Sequence, residues 1–179
     1  MNYHSLYRKD PYVNEMEELS IDYTEALSAK DYFGYYHPGL NRRDDDPVNS
    51  RLNYGYSIVR SAIARNLVIS GFHPAFGIHH DNQLNLFNLA DDLIEPYRAM
   101  VDQIAYHNMG SNEKLSKTER KNLAEVLFLA CEINGQRVNV ITAIGLMCDS
   151  LKRIILEYSE ETFALPMILP YEILEDITE

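Results

Sequence analysis

Apolar residues recur at helical spacing along almost the whole chain, and no segment shows sustained alternation of apolar and polar positions bounded by hairpin dipeptides. The pattern predicts helices. A first covers Asn14 to about Tyr36 and stops at Pro38-Gly39, after which the polar run NRRDDD leads to a second. Asp46 before Pro47 is an N-cap followed by proline at the first helical position, so the second helix runs from Pro47 to about Ser70, with Gly71 just past its end. Leu52, Val59, Ile63 and Leu67 form its core stripe, and the small Gly55, Ser57, Ser61, Ala62 and Ala64 let another helix approach closely.

The segment FHPAFGIHHDN, Phe72 to Asn82, carries Pro74 and Gly77 and reads as a loop. A third helix begins near Gln83 and continues to about His107, kinked or broken at Pro96. Ser116 and Glu119 form a capping box that opens a fourth helix ending before Gly135. A fifth covers Val138 to about Phe163, and the stretch from Ala164, with Pro166 and Pro170, reads as an irregular tail. The expected architecture is all-α: a single multi-helix domain over residues 1–179, with 1–13 a linker remnant and 164–179 an acidic tail.

Composition agrees with one soluble domain. The chain has 179 residues, 46% hydrophobic and 24% charged, enough to bury a core without disulfide or metal staples. Its apolar runs fall short of the ~20 residues that cross a bilayer, and MNYHSLYRKD at the N-terminus has no signal-like apolar stretch. A cytoplasmic protein with no membrane partner is expected. Cys131 and Cys148 sit in helix-like apolar segments without C-x-x-C spacing, which predicts buried reduced thiols.

The net charge of −11 argues against nucleic acid, whose duplex is bound through Lys and Arg on phosphates. Its distribution weakens that objection. Glu157 to Glu179 holds seven acids and no Lys or Arg, whereas Pro38 to Ser70 holds Arg42, Arg43, Arg51, Arg60 and Arg65 against three aspartates. A phosphate-bearing partner can dock on that stretch and avoid the tail. The alternative is a set of solvated helix-face charges.

At about 100° per residue, the third helix places Asn88, Asp91, Asp92, Glu95, Ala99 and Asp102 on one face, with Leu86, Ala90, Leu93, Tyr97 and Ile104 opposite. The loop Gly77-Ile78-His79-His80-Asp81-Asn82 feeds into it, so an imidazole there can share a cation with Glu95. Neighbouring side chains on extended backbone point apart, which makes His79 and His80 poor joint ligands of one ion. Glu25, among Ala26, Leu27 and Ala29 on the first helix, is an acid in apolar surroundings that wants a counter-charge or a metal. Residue types alone leave three readings open: a metal site, a solvated acidic face with hydrogen-bonded histidines, and a zinc hydrolase built on His79, His80 and Asp81.

The run from Asp46 to Arg98 strongly resembles the catalytic core of the CRISPR-associated integrase that acquires new spacers, the universal Cas-one family. Its marks are D-P-x-N, N-Y-G-Y-S, R-S-A-I-A-R, a G-I-x-H loop and A-D-D-L-x-E-P-Y-R, in order across fifty-three residues. The run N-L-A-D-D-L-I-E-P-Y-R and the E-x-N-G motif from Glu132 to Gly135 are similar to the version that accompanies type II systems. The likeness spans roughly residues 14 to 174 and matches the family's helical C-terminal part; the β-rich N-terminal domain is expected to be absent, as in a fragment or shortened protein.

The resemblance implies a metal-dependent DNA endonuclease and integrase that inserts spacers into a CRISPR array by phosphodiester transesterification. It implies Glu25, His80 and Glu95 as ligands of Mn2+ or Mg2+, with Asp92 an auxiliary ligand or an outer partner. His79 falls on a variable position. Arg60, Arg65, Tyr54 and Tyr56 on the neighbouring helix become candidate DNA contacts. Implied partners are protospacer and repeat DNA, the small dimeric Cas-two protein, other type II CRISPR proteins and, at full length, a second copy of the chain. The competing expectation is a non-catalytic helical interaction module.

Overall fold

The computed structural model describes residues 46–107 and 114–174. The expected linker 1–13 and the first helix, with Glu25, lie outside the described residues, as do the last five positions of the expected acidic tail. Helix α1, Pro47–Ile69, begins as its sequence dictates: Asp46 Oδ1 accepts from Val48 N at 2.7 Å, and Pro47 occupies the first turn where no amide is needed. Gly71, at φ +94°, follows its end. Leu52, Val59, Ile63 and Leu67 are fully buried, as the stripe requires.

After a loop come α2, Asn88–Leu93, a 3-10 turn, Glu95–Tyr97, and α3, Arg98–His107. The expected single third helix is thus three short pieces, starting five residues later than Gln83 and interrupted where Pro96 lacks its amide. Leu86, expected on the apolar stripe, precedes the helix and is exposed, while Asn88 and Asp102, expected on the acidic face, are buried. Helix α3 packs on α1 closely enough that a Cβ built at Gly55 would lie 2.6 Å from Val101 Cγ1. Of the small residues of α1, Gly55 is thus the one that admits the close approach its size suggested.

Helix α4, Lys117–Ala124, opens with the expected capping box: Glu119 N donates to Ser116 Oγ at 3.1 Å, and Ser116 N to Glu119 Oε2 at 2.8 Å. Glu119 also receives Arg51, whose Nε donates to Glu119 Oε1 at 3.0 Å while Nη1 donates to the Pro47 carbonyl at 2.8 Å. Arg51 is buried, so it belongs to the α1–α4 joint and not to a phosphate-facing surface.

The all-α expectation fails beyond α4. A 3-10 turn, Glu125–Phe128, leads into strand β1, Leu129–Ile133, which pairs antiparallel with β2, Gln136–Asn139; helix α5, Val140–Leu156, follows, and β3, Met167–Ile173, adds to the other side of β1. Among the described residues the sheet has the order β2-β1-β3. Ile133 opposes Gln136 across Asn134 and Gly135, at φ +53° and +72°, the left-handed pair that a two-residue hairpin needs. Four of the five β1 residues are buried, so the strand reads as an unbroken apolar run that spacing alone does not separate from a helix. Cys131 accordingly lies on a strand. Asn139 Oδ1 accepts from Thr142 N at 3.0 Å and starts α5 two residues later than expected, and the expected irregular tail contains β3.

Helices α1, α3 and α5, with β1, enclose one core. Among the described residues no helix is long and apolar enough to cross a membrane.

Candidate functional site

The loop between α1 and α2 is shaped by two side chains of α2. Asn88, buried, donates through Nδ2 to the Ala75 carbonyl at 3.0 Å and the Asn82 carbonyl at 2.9 Å, pinning both ends of the histidine segment. Asp92 holds the middle. Its Oδ2 accepts from Ile78 N at 2.5 Å and His79 N at 3.1 Å, and its Oδ1 from His80 N at 3.0 Å. His80 Nδ1 lies 2.6 Å from the same Oδ1. Gly77 makes this wrapping possible: a Cβ there would stand 2.3 Å from the His80 carbonyl oxygen, 2.8 Å from Asn88 Cβ and 2.9 Å from Asp92 Oδ2.

Those contacts fix the chemistry of His80. Three backbone amides can only donate, so the carboxylate between them is an acceptor and the ring completes the set by donating from Nδ1. Neutral His80 then keeps its lone pair on Nε2. The Asp92 side chain is only 8% exposed whereas that of His80 is 43% exposed, so the anchoring carboxylate is buried and the ring it holds reaches the surface. A carboxylate behind an imidazole is the arrangement that orients a ligating histidine. The His79 ring stands edge-on to it, centroids 5.7 Å apart.

Glu95 lies on the 3-10 turn one residue beyond α2 and engages Arg98: Nε donates to Oε2 at 2.8 Å. The Arg98 guanidinium carbon sits 5.2 Å over the Tyr56 ring, and the Tyr56 hydroxyl donates to buried Asp102 at 2.5 Å. Burial by itself lowers the Arg98 pKa, but the hydrogen bond and charge of Glu95, with the Tyr56 phenol, more than offset it and raise the value above that of ordinary arginine. Tyr56 is thereby buried between Arg98 and Asp102. Tyr54 is half-buried and packs against the core. Arg60 lies 5.0 Å over Phe87 and 3.6 Å from Asp91 Oδ1, whose other oxygen accepts from Asn85 Nδ2 at 2.7 Å. Arg65 is exposed on α1.

The structure thus brings His80 and Asp92 together, sets Glu95 three residues further along the same strip of chain, and leaves Glu25 outside the described residues. Among the described residues no group of three or more His, Cys, Asp or Glu converges as a set of metal ligands. The thiols are not nucleophile candidates: burial pushes Cys131 up to about 11, and burial with Asp149 pushes Cys148 up to about 12. Sequence reasoning missed Arg98 and the Tyr56–Asp102 pair. The i,i+3 spacing of Glu95 and Arg98 signalled the first; nothing local signals the second.

The fold is shared with a protein of known structure. A solved structure described as a casposase bound to integration product superposes with a TM-score of 0.62 at 22% identity, covering 77% of this chain and 50% of that one. At that identity the likeness concerns the fold alone. Residues 24–130 match the family "CRISPR associated protein Cas1", and the chain belongs to that family. It is 34% identical over 150 residues to the CRISPR-associated endonuclease Cas1 of Neisseria meningitidis serogroup C, covering 82% of this chain and 49% of the relative. A second such endonuclease, from Pyrobaculum aerophilum, is 31% identical over 121 residues, covering 63% and 41% respectively. The chain therefore spans half or less of the length of these relatives.

Proposed function

We propose that this chain carries the metal-dependent catalytic centre of a DNA endonuclease and integrase that inserts spacers into a CRISPR array. Family membership supports the reading, since relatives of the same family are named endonucleases. The observation that carries it is the clamp of Asp92 on the Ile78–His80 segment, which anchors the His80 ring at Nδ1 and leaves Nε2 as its ligating nitrogen. An imidazole nitrogen with two carboxylates suits Mn2+ or Mg2+, and the nitrogen favours manganese.

In this reading Glu25, His80 and Glu95 hold the ion, and Asp92 acts behind His80 with both oxygens already engaged by the loop. A divalent ion held by these residues would supply positive charge to the phosphodiester oxygens during attack by a 3′-hydroxyl. Asp92 keeps the proton on His80 Nδ1, and Arg60 and Arg65 on α1 meet the DNA backbone. Protospacer and repeat DNA, a Cas-two-like dimer, other type II CRISPR proteins and a second copy of the chain are the proposed partners.

The test is substitution with two readouts. Glu25→Ala, His80→Ala and Glu95→Ala each abolish manganese-dependent strand transfer, and each weakens manganese binding measured by calorimetry, with helicity unchanged. Activity retained in all three refutes the assignment. Absence of any manganese binding that depends on these residues favours a non-catalytic interaction module instead.

A further inference from the structure

Arg98 is held more firmly than an exposed ion pair requires. Such i,i+3 pairs contribute little on their own, and this one leaves the Arg98 side chain 41% exposed against 21% for Glu95. Two further features surround it. Glu95-Pro96-Tyr97 is a 3-10 turn, in which residues three apart stack on one line, so the backbone itself aligns Arg98 with Glu95. Pro96 and Tyr97 are buried and anchor that turn. Beneath the guanidinium lies the Tyr56 ring, at 5.2 Å, itself fixed by its bond to buried Asp102. The aromatic shelf retains the cation beside Glu95 whichever partner the carboxylate has.

Glu95 is also a ligand in the proposed metal centre, and the inference rests on that reading. One carboxylate then faces two cations. We infer that Arg98 is a placeholder: it neutralises and orients Glu95 while no divalent ion is present, yields Oε2 when one arrives, and stays on the Tyr56 ring with its donors turned to a phosphate oxygen. The guanidinium suits the exchange because its planar fork matches carboxylate and phosphate alike. Like any guanidinium, it stays charged throughout. Arg60 is the natural control. It carries the same charge on the adjacent helix, but its partners are Asp91 and Phe87.

The experiment is a manganese titration of the chain, followed by the electron paramagnetic resonance of free Mn2+, in wild type, Arg98→Gln and Arg60→Gln. Arg98→Gln is expected to bind manganese about three- to fivefold tighter, the gain when a carboxylate no longer has to leave a partly exposed ion pair, and Arg60→Gln to match wild type. In parallel, the Nε–H resonance of Arg98 in the wild-type chain is followed during Mg2+ addition. It shifts with saturation, and Glu95→Gln removes the shift. Unchanged or weaker manganese binding in Arg98→Gln, equal tightening in Arg60→Gln, or an immobile Nε–H signal in a chain that does bind metal each overturns the placeholder role alone. Wild-type binding that is absent or indifferent to His80→Ala and Glu95→Gln overturns the metal centre itself, and the two failures are thereby distinct.

Discussion

Replacing Asp92 by asparagine preserves shape and removes the property that the loop uses. The carboxylate accepts from Ile78 N and His79 N at one oxygen, and from His80 N and Nδ1 at the other. An amide offers one accepting oxygen. Directed at the Ile78 pair, which includes the more buried amide, it leaves an NH2 group facing His80. The ring can adapt by moving its proton to Nε2 and accepting at Nδ1; the His80 amide cannot, and loses its acceptor. Charge-assisted bonds contribute about 1.5–3 kcal/mol each, and water partly replaces the loss at the exposed His80 amide, so the net destabilisation is about 2 kcal/mol. Urea denaturation followed by circular dichroism measures it, and long-range nitrogen NMR of His80 reports the tautomer. A midpoint equal to wild type, with the proton still on Nδ1, would refute the clamp.

Gly77→Ala places a methyl 2.3 Å from a backbone oxygen that has no side chain to swing away; a loss of about 1–3 kcal/mol in urea melts, with manganese binding impaired, is expected. Tyr97→Phe should leave stability unchanged or raise it by about 1 kcal/mol, because the buried Tyr97 hydroxyl finds no hydrogen-bond partner among the described residues; a substantial fall in thermal midpoint would contradict this. Glu119 is held down to about 2 by its hydrogen bonds with Ser116 and then by Arg51, so its contribution is complete above its ordinary 4.5 and is lost as pH falls toward 2. Denaturation across that window should show a steeper acid loss in wild type than in Glu119→Gln.

How much of this was legible in the sequence depends on the reach of each interaction. Asp46, Pro47 and the Leu52–Val59–Ile63–Leu67 stripe specify α1 within a few turns, and Ser116 with Glu119 specifies the start of α4. What failed was non-local. The partner of Arg51 is Glu119, 68 residues on, and the partner of Asp102 is Tyr56, 46 residues back, so both charges read as solvent-facing from their own helices. Leu129–Ile133 looked helical because its burial comes from neighbours on several sides. Asn134-Gly135 was a visible hairpin signal, masked by the apolar runs on either side. In the candidate site, His80 was legible through its motif, whereas the four-donor wrapping of Asp92 required coordinates.

The bonds that Asn88 and Asp92 make to the histidine segment close within Ala75 to Asp92, with Gly77 supplying the room. Such a stretch carries its scaffolding with it. It behaves as a cassette, so remodelling of the distant sheet or hairpin, whether by natural drift or by engineering, can proceed without retuning it. Grafting this short run onto a foreign pair of helices is accordingly a realistic way to transplant the poised imidazole.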